Sequence, residues 1–194
     1  MFQNLTLFRV PAGFRGRSAL RTQLWWLVQA TLFHPSPQVA YAFRRWLLRR
    51  FGAQVGKGVI IRPSVTVTYP WKLSLGDYSW VGDDVVLYSL GEIAIGAHAV
   101  VSQRSYLCAG DHDYQQTDFS IRARRISIGD QAWVAADVFV GPGVHIGVGA
   151  VIGARSAVFK NMPGGMVCMG TPAVPVKPRL PATVVPSTEK DQAC

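Results

Sequence analysis

The chain of 194 residues is long enough for one domain with appendages, and its formal net charge of +9 is unevenly distributed. Residues 1–76 carry nine arginines, two lysines and no acidic residue, whereas residues 77–194 carry a net charge of −2. Nothing else in the sequence is typical of a nucleic-acid-binding module, so no nucleic-acid partner is expected. Two interpretations of this basic charge stay open: residues 1–50 are attracted to anionic lipid headgroups, or they form a solvated basic surface.

Cysteine usage and hydropathy indicate the compartment. Cys108, Cys168 and Cys194 are odd in number and lack the spacing of metal ligands, which favours a reducing cytoplasm. No signal peptide is recognisable, and the longest apolar run, residues 24–28, is far too short to span a bilayer. We therefore expect a cytoplasmic protein. Whether it also contacts the inner face of the membrane peripherally stays open.

Two amphipathic helices are predicted within the N-terminal segment, residues 1–54. Residues 1–17 are expected to be a loop, and apolar residues then recur at helical spacing over 18–33 until Pro35 ends the pattern. Ser36 and Pro37 indicate the N-cap and first position of a second helix. The apolar stripe of that helix would consist of Val39, Phe43, Trp46, Leu47 and Phe51.

These helices would close the open end of the domain that follows them, because an unpaired strand edge has to be covered. Any membrane contact would come from Trp25, Trp26 and the arginines around them.

A six-residue period governs residues 55–170. In IGDQAW-VAADVF-VGPGVH-IGVGAV-IGARSA-VFKNMP an aliphatic residue opens every hexad, and the same register recurs upstream. The anchors are Val55, Ile61, Val67, Leu75, Val81, Leu87, Ile95, Val101, Leu107, Ile128, Val134, Val140, Ile146, Ile152 and Val158. A period of six fits neither a helix nor a plain strand, but it fits a short strand followed by a tight turn. Three such hexads complete one coil of a triangular prism, with coils stacked at roughly 4.8 Å. The sequence predicts an all-β core, a parallel β-helix of about five coils.

The hexads stop between Leu107 and Ile126, so residues 109–125 must leave the prism as a loop. Loops set into a rigid scaffold are where function tends to lie. Beyond the prism, the proline-rich residues 171–194 predict an extended or disordered tail.

Hexads and local motifs together resemble the hexapeptide-repeat acyltransferases over nearly the whole chain. The motifs are LLRRFGAQVG ending at Gly56, YPWKL at 69–73, HDY at 112–114, IG at 128–129 followed by WV at 133–134, and GTPA at 170–173. Within that superfamily the chain is most similar to the colanic acid biosynthesis acetyltransferases, which are related to the maltose, galactoside and nodulation-factor O-acetyltransferases.

This resemblance implies a left-handed β-helix, a homotrimer and acetyl-CoA as the acetyl donor. It also implies that the acceptor is a hydroxyl of a sugar or lipid-linked glycan intermediate in exopolysaccharide biosynthesis.

His112 is the candidate catalytic residue. Transfer of an acetyl group to a hydroxyl requires removal of the hydroxyl proton, and imidazole is the side chain whose ordinary pKa suits that task near neutral pH. His112 lies in the loop between Asp111 and Asp113, and either carboxylate would be able to orient the ring. The resemblance implies that His112 is the general base. No serine or cysteine pairs recognisably with it, which favours direct transfer without an acyl-enzyme.

The expected acceptor site combines residues from three parts of the chain. Asp83 and Asp84 stand where related enzymes place an asparagine, and they are either sugar ligands or ordinary turn residues. Tyr114, beside the base, is a candidate for stacking or hydrogen bonding to a sugar. Trp133 aligns with a tryptophan that walls the active site of relatives, although it would also fit simple packing at a coil corner.

The resemblance places acetyl-CoA in a groove between two prisms of the trimer. Ala136 and Ala154 would let the cofactor approach the backbone, and Lys160 would reach its phosphates. Where relatives carry arginines near the C-terminus, Arg155, Lys177 or Arg179 would take their place.

Other functions are compatible with parts of the same pattern. A serine or antibiotic acetyltransferase would use the same fold, and a non-catalytic β-helix would serve only in assembly. The γ-carbonic anhydrases hold zinc with three histidines between subunits of this fold. Because His34, His98 and His145 lie apart, in turns or between helices where they would face solvent, no metal site is expected.

Overall fold

The hexads form short strands that wind into a triangular solenoid in the computed structural model, which describes residues 2–180. Three coils come before the loop: β1 (Gln54–Val55), β2 (Ile60–Ile61), β3 (Thr66–Val67), β4 (Leu73–Leu75), β5 (Trp80–Val81), β6 (Val86–Tyr88), β7 (Ile93–Ile95), β8 (Val100–Val101) and β9 (Tyr106–Cys108). The loop contains β10 (Gly110–His112) and β11 (Ile121–Ala123). The remaining strands are β12 (Ile126–Ile128), β13 (Trp133–Val134), β14 (Phe139–Val140), β15 (His145–Ile146), β16 (Val151–Ile152), β17 (Ala157–Val158), β18 (Met166–Gly170) and β19 (Ala173–Pro178).

The coil strands stack into three parallel sheets, one for each face of the prism. Face 1 has the order β1-β4-β7-β12-β15, face 2 the order β2-β5-β8-β13-β16-β18 with β19 outermost, and face 3 the order β3-β6-β9-β14-β17. Anchors pair with anchors, as when Leu75 lies beside Ile95 and Ile95 beside Ile128. This arrangement confirms the predicted parallel β-helix. Five coils are complete and β18 begins a sixth, against the predicted five or so.

The core of the prism is built from the hexad anchors. Every anchor is buried apart from Val55, which is half-buried in the first coil. Each coil turns between face 1 and face 2 through one residue of positive φ, and this position is held by Gly58, Tyr78, His98, Gln131 and Gly149. Because the turn repeats in every coil, the side chains of Tyr78 and His98 stack on one another along this corner, with ring centroids 5.3 Å apart.

Two helices close the end of the prism beside the first coil, as predicted. Helix α1 covers Ala19–Val28 and continues as a π-helical turn over Gln29–Phe33, and α2 covers Tyr41–Arg50. The first coil has no strand beneath it, so its outward backbone groups need other partners. Val67 shows the solution: its N–H donates to the Gln29 side chain and its carbonyl accepts from the Trp25 indole, both at 2.7 Å.

Arginines of α2 complete this cap. The fully buried Arg44 donates to the Ile61 carbonyl at 2.7 Å, and Arg45 donates to the Val59 carbonyl at 2.8 Å. Arg49 donates to the carbonyls of Val55 and Gly56. Part of the N-terminal charge therefore serves the fold.

The predicted details of the helices were wrong in three respects. Helix α2 begins at Tyr41 rather than at Pro37, and the Ser36 hydroxyl donates to the Phe33 carbonyl instead of capping a helix. In the predicted stripe only Leu47 and Phe51 are buried, whereas Val39, Phe43 and Trp46 are exposed. Trp25 is fully buried and therefore is not available to a membrane. The cause is shared, since these helices pack on a polar strand edge and some inward positions, such as those of Trp25 and Arg44, are taken by groups that hydrogen bond to it.

Outside the prism, three segments have distinct structures. Residues 109–125 form an antiparallel hairpin of β10 and β11. Residues 2–17 contain only turns and extended chain, as expected for a loop. Strand β19 pairs antiparallel with β18, so the expected boundary at residue 171 lies within a hairpin, and the rest of the predicted tail, residues 181–194, lies outside the described residues. Within residues 2–180, no helix is long and apolar enough to cross a membrane.

Candidate active site

A cleft of about 770 Å³ lies on face 2, bounded by the corners that this face shares with its neighbours. Trp80 and Trp133 stand on its floor, two coils apart, with Val100 in register between them. Both indoles are 45% exposed, so neither belongs to the core. Trp133 donates its indole N–H to the Ser102 hydroxyl at 2.9 Å, which fixes the orientation of the ring. The two indoles project from strands about 10 Å apart, which leaves room for one ring-shaped ligand between them.

Charged side chains line the corner between face 2 and face 3. Asp83 pairs with Arg62 at 3.0 Å, and Arg104 pairs with Asp137 at 2.7 Å. Asp84 adopts a positive φ of 55° in the turn and is exposed to the cleft. Asp83 and Asp84 therefore are turn residues that also line the cleft, and their role as sugar ligands stays a prediction.

The ring of His112 is held in one orientation on the hairpin. Its Nδ1 lies 2.8 Å from the Phe119 carbonyl oxygen, and the Phe119 ring stacks on the imidazole at 4.2 Å with an interplanar angle of 8°. A carbonyl oxygen can only accept a hydrogen bond, so Nδ1 carries the proton in this contact. In the neutral imidazole Nε2 then keeps its lone pair, and this tautomer is the one required of a base.

Neither neighbouring aspartate orients this ring, contrary to the expectation for Asp113. The Asp113 carboxylate pairs with Arg122 at 3.3 Å, and Asp111 is hydrogen bonded to Arg122 and Arg124. Side chains in a two-stranded hairpin alternate between its faces, which turns both carboxylates away from His112 and towards the basic residues of β11.

The Asp111 cluster ties the two strands of the hairpin together. Burial acts to raise the pKa of the Asp111 carboxyl, but hydrogen bonds from Arg122 and Arg124 outweigh burial and hold the pKa below its ordinary value. The cluster therefore stabilises the hairpin at neutral pH, and that contribution is lost as the pH falls through the lowered pKa.

The N-terminal segment, residues 2–17, fastens the hairpin from outside. The Asn4 N–H donates to the Thr117 carbonyl at 2.7 Å, and the Phe8 ring lies 5.7 Å from the imidazole of His112. Further along, the Trp71 indole and the Lys72 ammonium donate to carbonyls of this segment. Phe8 and Phe119 thus both contact the candidate base.

Three of the candidate donor-site residues lie together and three do not. Ala136, Ala154 and Arg155 occupy consecutive coils at the corner between face 2 and face 3, where the Arg155 N–H donates to the Ala136 carbonyl at 2.9 Å. The small side chains leave the corner backbone open, which suits an extended ligand.

The other three candidates for phosphate binding are dispersed. Lys160 is exposed where the chain leaves face 3, and Lys177 is exposed on β19. Arg179 donates to the carbonyls of Gln131 and Gly149 at the far edge of the cleft. Among residues 2–180, these candidate basic side chains are therefore not brought together within one chain.

The base and the cleft are also separated within one chain. The hairpin leaves the prism between face 3 and face 1, at the corner opposite face 2, and His112 does not line the cleft. Tyr114, 73% exposed, lies on the hairpin and not beside Trp133.

Sequence reasoning missed four residues. Trp80 and His98 line the cleft, and Phe8 and Phe119 contact His112. Trp80 carried a usable signal, since it stands in the same outward hexad position as Trp133. The other three are defined by tertiary contacts alone.

Of the remaining histidines, His145 is exposed, whereas His34 is half-buried with Nε2 3.2 Å from the Val65 carbonyl and not solvent-facing. Within the described residues, no three His, Cys, Asp or Glu side chains are grouped to hold a metal ion.

A parallel β-solenoid with a histidine-bearing hairpin set into its coils defines a hexapeptide-repeat protein. The chain is 61% identical over 178 residues to a protein of Escherichia coli K12 that is provisionally named colanic acid biosynthesis acetyltransferase WcaF, covering 92% of this chain and 98% of that one. The chain belongs to this family of hexapeptide-repeat acetyltransferases.

Solved structures share the fold. A maltose O-acetyltransferase from Clostridium difficile 630 has a TM-score of 0.75 at 24% identity, over 83% of this chain and 89% of that one. A hexapeptide-repeat acetyltransferase from Vibrio cholerae O1 biovar eltor, solved with acetyl coenzyme A, has a TM-score of 0.77 at 22% identity, over 86% and 92%. No protein-family model matches the chain.

Proposed function

We propose that the protein transfers the acetyl group of acetyl-CoA to a hydroxyl of a sugar or lipid-linked glycan intermediate in exopolysaccharide assembly. The observation that carries this proposal is the geometry of His112, whose Nδ1 contacts a backbone carbonyl while Nε2 is left as a base. Family membership supports acetyl transfer, and the acetyl-CoA complex of the Vibrio cholerae protein supports the donor.

The reaction would proceed in one transfer step. As the acceptor oxygen bonds to the thioester carbonyl carbon, Nε2 of His112 takes the hydroxyl proton, the carbon–sulfur bond breaks, and the proton passes to the departing thiolate. Burial raises the pKa of the Cys108 thiol, which also donates to the Gly110 carbonyl. A protonated thiol is a poor nucleophile, and this supports direct transfer over an acyl-cysteine intermediate.

The cleft on face 2 suits a sugar acceptor. The walls made by Trp80 and Trp133 would stack on the faces of a sugar ring, and Asp83 and Asp84 would accept hydrogen bonds from its hydroxyls. Tyr114 would contact the acceptor from the hairpin that carries the base. The corner at Ala136 and Ala154 would hold the pantetheine arm of the donor.

The site requires a second copy of the chain, and we propose a homotrimer. Because His112 lies at the corner opposite the cleft, a neighbouring prism would bring its hairpin to the cleft of this one. Closed cyclic assembly is the usual way in which such a head-to-tail contact is completed. The dispersed Lys160, Lys177 and Arg179 would then have partners across the interface in binding the phosphates of the donor.

Binding and turnover are tested directly. In a calorimetric titration acetyl-CoA should bind to the purified protein, and a thiol-release assay should show turnover with mono- or oligosaccharides. Turnover only with serine or with an antibiotic would move the assignment to those acetyltransferases. Absence of acetyl-CoA binding would favour the non-catalytic assembly protein. The cytoplasmic location expected from the cysteines stays a prediction.

The contact between Phe8 and His112 makes a more specific prediction. Phe8→Ala should lower kcat by about three- to thirty-fold, because a base that shifts within its loop is displaced from the attacking hydroxyl. Acetyl-CoA affinity and the melting temperature should change little, and Phe8→Tyr should restore turnover. The matched control is Leu7→Ala, since that neighbouring side chain is 52% exposed. Equal effects of both substitutions on kcat would argue against a positioning role for Phe8.

A further inference from the structure

The outward side of helix α1 is apolar. Thr22 and Trp25 mark its buried side, and the opposite side presents Leu20, Leu24 and Leu27, which are 80%, 49% and 60% exposed. These leucines follow the i, i+4, i+7 spacing of a single helical face. Burial against the prism therefore does not explain them.

The apolar surface continues past α1 and onto α2. Leu32 and Val39 are exposed in the connection, and Trp46 is 57% exposed on α2 with Phe43 stacked beside it at 6.1 Å. Both helices turn their buried sides to the first coil, so their outward sides point the same way, beyond the end of the prism. We call this surface the cap face, formed by Leu20, Leu24, Leu27, Leu32, Val39, Phe43 and Trp46.

The charges around the cap face have one sign. Residues 22–43 contain no charged residue, and the first acidic residue of the chain is Asp77. Arg17 and Arg50 are both exposed and lie at the same end of the face, where Arg21 of α1 donates to the Arg50 carbonyl at 3.3 Å. An apolar helical face with a cationic edge and no acidic residue is the pattern of helices that lie in the interface of an anionic bilayer.

We propose that the cap face lies on an anionic lipid bilayer, with its apolar side chains in the boundary between headgroups and acyl chains. Arg17 and Arg50 contact the lipid phosphates, and the prism stands away from the membrane. The residues involved differ from those expected from the sequence, because Trp25 is buried and Arg44, Arg45 and Arg49 donate to carbonyls of the first coil. The proposal does not depend on the acceptor or on the catalytic role of His112.

Vesicle flotation tests this proposal with the full-length protein. Wild type should float with vesicles of phosphatidylcholine mixed with phosphatidylglycerol at low salt, and less of it should float as salt screens the phosphates. Leu20→Ser/Leu27→Ser should reduce the bound fraction about tenfold or more, since each substitution removes buried apolar area. Arg17→Gln/Arg50→Gln should weaken binding and flatten its salt dependence.

The control also replaces two exposed aliphatic residues by serine, at the other end of the molecule. Val148→Ser/Val176→Ser replaces two valines that are 60% and 54% exposed, and it should float like wild type. Light scattering and circular dichroism on each variant separate loss of binding from misfolding. Equal flotation of the leucine and valine variants, or no flotation of wild type at any salt concentration, would overturn the proposal. If wild type fails to float and the leucine variant instead changes the oligomeric mass, the cap face is a contact between copies.

Discussion

His112→Ala is expected to lower kcat by about 10²–10⁴ and to leave acetyl-CoA affinity unchanged. The substitution removes proton transfer from the transition state, and the imidazole carries none of the hexad core. The Phe119 carbonyl that holds Nδ1 remains in place, so the hairpin should keep its structure. Single-turnover rates of thiol release, together with calorimetry, measure the two quantities separately.

The matched control is Asp113→Asn in the adjacent position. Asp113 pairs with Arg122 and not with the imidazole, so its loss should change kcat by only about two- to fivefold through weaker tethering of the hairpin. If His112→Ala keeps most of its turnover on the true acceptor, the exposed His145 becomes the next candidate.

The prism could be predicted from the sequence because its code is local. Each coil buries one aliphatic residue every six positions. The same positions pair when coils stack, as in the register of Leu75, Ile95 and Ile128. The interruption of the hexad repeat after Leu107 is equally visible in the sequence. Without an aliphatic anchor to bury, the following residues cannot form a coil and must leave the prism. For that reason the hairpin and its histidine could be located from the hexad spacing alone.

The helical cap could be predicted only in outline. Its existence follows from the need to cover a strand edge, but the inward residues cannot be read from hydrophobicity, because the edge is polar. Trp25, Gln29 and Arg44 face inward since each can hydrogen bond to a backbone group of the first coil. Val39, Phe43 and Trp46 face outward, and the search for an apolar stripe assigned these three residues to the wrong side.

The candidate site was half predictable for a different reason. The resemblance to the hexapeptide-repeat acyltransferases indicated Asp83, Asp84 and Trp133, and all three line the cleft. The partners of His112 could not be derived, because they come from the fold of the hairpin and from a segment about one hundred residues away. Nor could the sequence alone show that the base and the cleft occupy opposite sides of one prism.

The separation of His112 from the cleft within one chain leads to the second prediction with a large effect. Mixing two defective variants should recover activity. Trp80→Ala/Trp133→Ala removes both walls of the cleft and should lower turnover by about 10–10², without disturbing the core, because both indoles are half exposed. His112→Ala lacks the base. In a mixed trimer, a chain with an intact His112 can meet a neighbour with an intact cleft.

Random co-assembly of the two variants should restore about one quarter of wild-type activity, since each site needs one particular chain from each side of the interface. Light scattering at low micromolar concentration should first give the mass of three chains. Wild type co-assembled with His112→Ala serves as the control and should retain about half of its activity by the same reasoning. A site formed within one chain predicts no recovery, because neither variant has a complete site of its own. Activity no greater than the sum of the two variants would therefore refute the composite site, even if His112 proves to be the base.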